Sequence, residues 1–177
     1  MKDDLKEIIF TEEQISERIK ELGSQISSEY VGKTPLLIGI LKGSFMFLAD
    51  LARNIDLKCE IRFIVASSYG FSYVTSGTVR VGDLDFEIAG RDVIIVEDIL
   101  DSGVTLSAMR KLISSNDPAT LKICTLLDKP SRRQIPMEAD YVGFMCPDEF
   151  VVGYGLDYAE CYRNLPYVAS LKPEMYS

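Results

Sequence analysis

Histidine is absent from the 177 residues. That absence removes the Ser-His-Asp and Cys-His nucleophile arrangements and leaves carboxylate, lysine, tyrosine or cysteine as candidates for a general base. The four cysteines, Cys59, Cys124, Cys146 and Cys161, form no Cys-x-x-Cys pair. Without histidine, that pattern argues against a zinc site or haem attachment. Three of them sit in apolar surroundings, as free thiols in a reducing compartment do. No apolar run approaches the roughly 20 residues needed to cross a bilayer, and the opening Met-Lys-Asp-Asp-Leu-Lys-Glu lacks the apolar centre of a secretory signal. A cytoplasmic protein with no membrane partner is expected. Positive charge is short as well: 19 lysines and arginines against 27 acidic residues leave a net charge of −8. Such a surface argues against nucleic acid as a partner, although a local basic pocket can still receive an anionic substrate. No Gly-x-Gly-x-x-Gly follows any apolar run, which sets aside a dinucleotide-dependent dehydrogenase.

What is present is organised around residues 93–106. Val93 to Val96 are apolar and mostly β-branched, as in a strand buried on both faces. Glu97 and Asp98 follow where the strand should end, and Asp101-Ser102-Gly103-Val104-Thr105 forms a short turn. Leu106, Met109, Leu112 and Ile113 then fall on one helical face, so the stretch reads strand, loop, helix. Free backbone N–H groups, two hydroxyls and the positive end of a helix together make a phosphate cradle. Two carboxylates beside a phosphate need a purpose, and sugar hydroxyls or a metal ion supply one.

The rest of the chain alternates. Thr11 and Gln14 form a capping box ahead of Ile15, Ile19, Leu22 and Ile26 at helical spacing. Leu36 to Leu41 is a second continuous apolar run, ending in Lys42-Gly43-Ser44 before an apolar helix from about Phe45 to Asn54. Residues 59–66 read as a strand, Ile61, Phe63 and Val65 alternating against Glu60 and Arg62. The next twelve residues, rich in Ser, Gly and Tyr, suit a lid over a site, or an ordinary connection between strands. Val79 to Asp92 then suggest a small hairpin leading back to the central strand. Leu121 to Leu127 and Tyr141 to Met145 read as further strands, the first ending in Asp128-Lys129-Pro130. Strands alternating with helices imply a mostly parallel α/β sheet in one domain, residues 1–177. Taken singly, Lys42 and Gly43 fit a plain βα turn, Phe150 a core aromatic, and Asp157 with Arg163 a surface ion pair.

The Glu97-Asp98…Asp101-Ser102-Gly103-Val104-Thr105 run resembles the phosphoribosyl-diphosphate (PRPP) signature of the type I phosphoribosyltransferases. Leu-Lys-Gly-Ser at 41–44, Ser68-Tyr69-Gly70, Lys129, and Phe150-Val151-Val152-Gly153-Tyr154 with Asp157 and Arg163 follow the order of the hypoxanthine(-guanine) members. The resemblance spans about Leu36 to Arg163. It implies an α/β fold with a mostly parallel twisted sheet flanked by helices, a small hood built from the chain ends and a mobile lid loop. It implies purine salvage, in which ribose 5-phosphate passes from PRPP to a 6-oxopurine and diphosphate leaves. By the family pattern Glu97 and Asp98 hold the ribose hydroxyls and, with Asp157, Mg²⁺. Ser102, Gly103, Val104 and Thr105 wrap the 5′-phosphate, with Asp101 as general base. Lys42, Gly43 and Arg163 meet the diphosphate, and the peptide before Lys42 is expected cis. Ser68 and Tyr69 belong to the catalytic lid. Lys129 donates to the 6-oxo group, Phe150 stacks on the purine and Val151 offers backbone contacts. Val104 stands where some relatives carry lysine. A homodimer or homotetramer is expected by analogy. Two rivals stand beside this reading, a PRPP-sensing regulator without transferase activity and a transferase for xanthine or a pyrimidine.

Overall fold

The capping box at Thr11 is present: Gln14 N–H donates to Thr11 Oγ1 at 3.3 Å, and Thr11 N–H donates to Gln14 Oε1 at 2.9 Å. It starts helix α1, Glu12–Glu29, whose stripe Ile15, Ile19, Leu22 and Ile26 is buried. The computed structural model describes residues 1–67, 70–71, 73–75, 78–80 and 84–176. In chain order the strands are β1 (Leu5–Phe10), β2 (Leu36–Leu41), β3 (Glu60–Ser67), β4 (Gly70–Phe71), β5 (Tyr73–Thr75), β6 (Thr78–Arg80), β7 (Asp92–Leu100), β8 (Thr120–Asp128), β9 (Tyr141–Met145), β10 (Val151–Val152) and β11 (Val168–Leu171). Helices α2 (Phe45–Arg53) and α3 (Val104–Ser114) follow β2 and β7.

The main sheet runs β4-β3-β2-β7-β8-β9, parallel except for β4. Its continuous apolar runs have a direct cause, because successive side chains feed two different cores. Leu37, Ile94, Val96, Cys124 and Leu126 pack against α1 and α2. Leu36, Ile38, Val93, Ile95 and Ile123 pack against Leu106, Met109 and Ile113 of α3 on the opposite face. Burying each such side chain contributes about 1.5–3 kcal/mol. A second sheet, β1-β11-β10, is the expected hood: the first and last strands of the chain pair with each other, and β11 also pairs with β10.

One expectation is corrected in part. The hairpin is β5–β6, which shares only Val79 and Arg80 with the expected 79–92 span; residues 81–83 lie outside the described residues, and among residues 84–91 there is no strand. Leu84, Phe86 and Ile88 alternate like a strand, but they fold onto the α3-side core, and Ile88 is buried. Strand β3 is where 59–66 were expected to form one, and its alternation has an outcome of its own. Among its described side chains Ile64 is buried, whereas Ile61, Phe63 and Val65 remain 39%, 45% and 47% exposed. The short β4 pairs with Ala66 and Ser67, so among the described residues most of β3 is a sheet edge.

Candidate active site

Three strand ends and the loops beyond them build the site, as expected for ligand sites at the carboxyl ends of open α/β sheets. At the end of β2 the Leu41–Lys42 peptide is cis. Ser44 is fully buried, its hydroxyl donating to Ile40 O at 2.6 Å. Gly43 lies so close to the acidic pair that a Cβ there would fall 1.7 Å from Asp98 Oδ2. Lys42 Nζ reaches across the site to Glu160 Oε2 at 3.0 Å.

Strand β7 continues through the acidic pair to Leu100. Glu97 is 7% exposed, and its Oε1 accepts the Asp98 N–H at 3.2 Å. Asp98 Oδ1 accepts the Ile99 N–H at 2.8 Å. Burial pushes the Glu97 carboxyl well above the usual range, and the charges of Asp98 and Asp101 push it the same way. Burial also raises Asp98, while Arg163 draws it back down. Among the described residues neither carboxylate forms an ion pair, so the pair is short of positive charge. Oxygen donors in that condition suit Mg²⁺. Among the described residues no three Asp, Glu or Cys side chains converge as a metal cage.

The loop beyond them turns at Gly103, φ +80°, where a Cβ would meet Ile135 O at 2.9 Å. Only glycine fits that turn. Helix α3 then begins at Val104 with no side-chain cap from Gly103; the Val104 N–H donates to Ser102 Oγ at 3.4 Å, and the N–H groups that follow in the first turn can face an anion. The loop is clamped from outside by a residue the sequence did not flag. Arg133 donates to the backbone carbonyl of Leu100 at 2.8 Å, to that of Asp101, and to the Asp128 carboxylate. Ser102 O accepts the Gln134 and Ile135 N–H groups at 2.9 and 3.0 Å.

Two cavities meet here. One, of about 230 Å³, is lined by Lys42, Gly43, Glu97, Asp98, Gly103 and Thr105. The other, of about 720 Å³, is lined by Lys129, Phe150, Val151, Leu156 and Asp157. Ile99 and Asp101 line both. Lys129 is 8% exposed, and its Nζ donates to Glu149 O at 2.6 Å and lies 3.6 Å from Asp148 Oδ1. Phe150 is at the rim, 39% exposed, with Tyr158 edge-on at 5.6 Å and Tyr176 stacked at 4.9 Å. Tyr176 carried no motif, and only the fold of the tail after β11 brings it there. Arg163 pairs with Asp157 at 2.8 Å and donates to Gly155 O at 2.7 Å. Asp157 and Arg163 are therefore an ion pair, as their isolated reading had it, and its Asp157 lines the second cavity. Ser68 and Tyr69 lie outside the described residues.

The phosphoribosyl transferase domain family matches residues 7–159. The chain is 52% identical to the hypoxanthine-guanine phosphoribosyltransferase of Bacillus subtilis, covering 99% of itself and 98% of that protein. It is 51% identical to the bifunctional protein TilS/HprT of Listeria innocua over its whole length, but spans only 28% of that relative. A solved hypoxanthine phosphoribosyltransferase from Staphylococcus aureus superposes with a TM-score of 0.91 at 51% identity, covering 100% of this chain and 97% of that one. The hypoxanthine phosphoribosyltransferase of Trypanosoma cruzi, solved as a mutant in a ternary substrates complex, gives 0.89 at 41% identity, covering 99% and 100%. With the acidic pair, the Asp101–Thr105 turn and the cavity beside Phe150 in place, the chain belongs to the type I phosphoribosyltransferases, among the hypoxanthine(-guanine) phosphoribosyltransferases.

Proposed function

We propose that this chain transfers the 5-phosphoribosyl group of PRPP to hypoxanthine and guanine, forming IMP or GMP and releasing diphosphate, as one domain of 177 residues in the cytoplasm. The observation that carries the reading is Asp101, which lines both cavities. A ribose seated in the first cavity and a base in the second would meet beside it. Thr105, Ser102 and the start of α3 take the 5′-phosphate, and Glu97 and Asp98 take the ribose hydroxyls. Lys42, Gly43 and Arg163 face the diphosphate. The ring nitrogen forms its bond to C1′ as the C1′–oxygen bond breaks, the electron pair leaving on diphosphate, and Asp101 accepts the nitrogen's proton. Mg²⁺, held by Glu97, Asp98 or Asp157 together with substrate oxygens, would neutralise the departing charge. Lys129 donates to the 6-oxo group, so adenine, with an amino group there, is refused.

The test is nucleotide formation from PRPP and Mg²⁺ with hypoxanthine, guanine, xanthine and adenine offered separately. Product with the first two and little with adenine is expected. PRPP binding without product from any base would turn the reading into a PRPP-holding regulator, and xanthine as preferred acceptor would correct the substrate. Lys129→Gln should raise KM for the base roughly 10–100-fold and leave KM for PRPP within about twofold, since a hydrogen bond from a charged donor is lost at the base alone. Equal rises would remove Lys129 from base recognition.

Self-association is part of the proposal. Ile61, Phe63 and Val65 form an uncovered apolar strip on β3, with the exposed Phe45 on the α2 side of the sheet. Contiguous apolar surface of this kind mates readily with a second copy about a two-fold axis. Phe63→Glu should shift the sedimentation coefficient from dimer or tetramer toward monomer. An unchanged coefficient would place the interface elsewhere.

A further inference from the structure

Gly153, Tyr154 and Gly155 have φ of +97°, +50° and +101°. Three successive residues in the left-handed region make an unusual turn, and the central one is a bulky aromatic that disfavours it. Something must hold Tyr154 there. Its ring is buried among α1 and α2 residues, and its hydroxyl donates to Asp50 on α2. Packing alone does not fix the ring, because a cavity of about 510 Å³ lies beside it, lined by Tyr154, Asp50, Met46 and Arg53. Dispersion contacts are lost wherever a wall is missing, so the hydroxyl bond to Asp50 gives the ring a fixed end.

The turn has its other end in the diphosphate subsite. Gly155 presses on the loop after β2 so closely that a Cβ on it would fall 2.1 Å from Gly43 O. Gly155 N–H donates to Arg163 O at 3.0 Å, and Arg163 Nη1 donates back to Gly155 O at 2.7 Å. The contacts close a ring: Gly43 leads into α2, α2 carries Asp50, Asp50 holds Tyr154, and Gly155 returns to Gly43.

We propose that Tyr154, anchored by Asp50, is a positioning residue for diphosphate, setting where Gly43 and Arg163 stand through the Gly153–Gly155 turn. The inference rests on the phosphoribosyl-transfer reading, in which Gly43 and Arg163 face that group. Neither Tyr154 nor Asp50 lines either cavity of the candidate site. The ring also predicts selectivity: loosening it moves both diphosphate contacts and leaves in place Lys129, just past the end of β8, and Val151 on β10.

The experiment compares the wild type with Tyr154→Phe, Asp50→Ala, Asp50→Asn and the double variant Tyr154→Phe/Asp50→Ala. It measures KM for PRPP, KM for hypoxanthine, calorimetric binding of diphosphate with Mg²⁺, and the thermal midpoint. Tyr154→Phe and Asp50→Ala are each expected to raise KM for PRPP and weaken diphosphate binding about tenfold, with KM for hypoxanthine within about twofold. Asp50→Asn keeps an acceptor and should retain most of the affinity. The double variant should be no worse than Asp50→Ala alone, which already removes the Tyr154 bond together with the Asp50–Arg53 pair. A lower thermal midpoint with no split between the two KM values would overturn the inference and leave the pair a structural contact. Failure of the wild type to bind PRPP or diphosphate would instead sink the transferase reading and this inference with it.

Discussion

Asparagine in place of Asp101 is expected to lower kcat by roughly 10²–10⁴-fold while leaving PRPP affinity within about threefold. The amide keeps the size of the carboxylate and loses only its capacity to take a proton. Little of the fold depends on that carboxylate. Its one side-chain contact among the described residues is the Ser102 hydroxyl, which donates to Oδ1 at 3.2 Å. Arg133 holds the loop by the Asp101 backbone carbonyl, which asparagine retains. A rapid-quench measurement of the first turnover, set beside equilibrium binding of PRPP, separates the two quantities. Equal losses in both would mean that Asp101 binds ribose and does not serve as the base.

The second large effect concerns a residue with no side chain. Gly43→Ala should reduce kcat/KM for PRPP about 100-fold, the scale expected when a positioning loop is displaced by an ångström. The new methyl group would sit 1.7 Å from Asp98 Oδ2. Asp98 is poorly free to move aside, because its other oxygen holds the Ile99 N–H. Gly43 has no easy retreat either, with Gly155 packed on its carbonyl. Relief must come from the acidic pair or from the loop after β2, and on the proposed reading each faces PRPP. Steady-state kinetics at varied PRPP give the answer, and retention of kcat/KM within about threefold would show that the loop has slack the close contact denies.

How much of this was legible depends on whether the cause was local. Leu36–Leu41 and Val93–Val96 are strands in any context that covers both faces, so their runs identified them directly. The Asp101–Thr105 loop was legible because its residue types are tied to a local need, a positive φ at Gly103 and an exposed helix start. The outward turn of Ile61, Phe63 and Val65 was not, because alternation says that a strand has two faces and not which one a helix reaches. Arg133 and Tyr176 escaped for a related reason. Each acts on a residue far away in sequence, and neither sits in a pattern that its own neighbourhood requires. The same holds for Glu160, which meets Lys42 only because the fold brings two remote loops together.

On the proposed reading, the hood gives the two substrates unequal claims on the chain. The phosphate loop is framed by β7 and α3, deep in the main sheet. The base wall hangs on β10, two residues long, which borrows its order from β11: Leu171 N–H donates to Phe150 O at 2.9 Å, and Val151 sits opposite Ser170. A two-residue strand has no stability of its own. During synthesis the acceptor wall therefore waits for Leu171 to emerge, long after every phosphate-loop residue has been made. Proteolytic loss of that last strand would strip away purine recognition and spare the donor pocket. On that reading donor binding is built into the main sheet, whereas acceptor choice rests on a two-residue strand ordered only once β11 has been made.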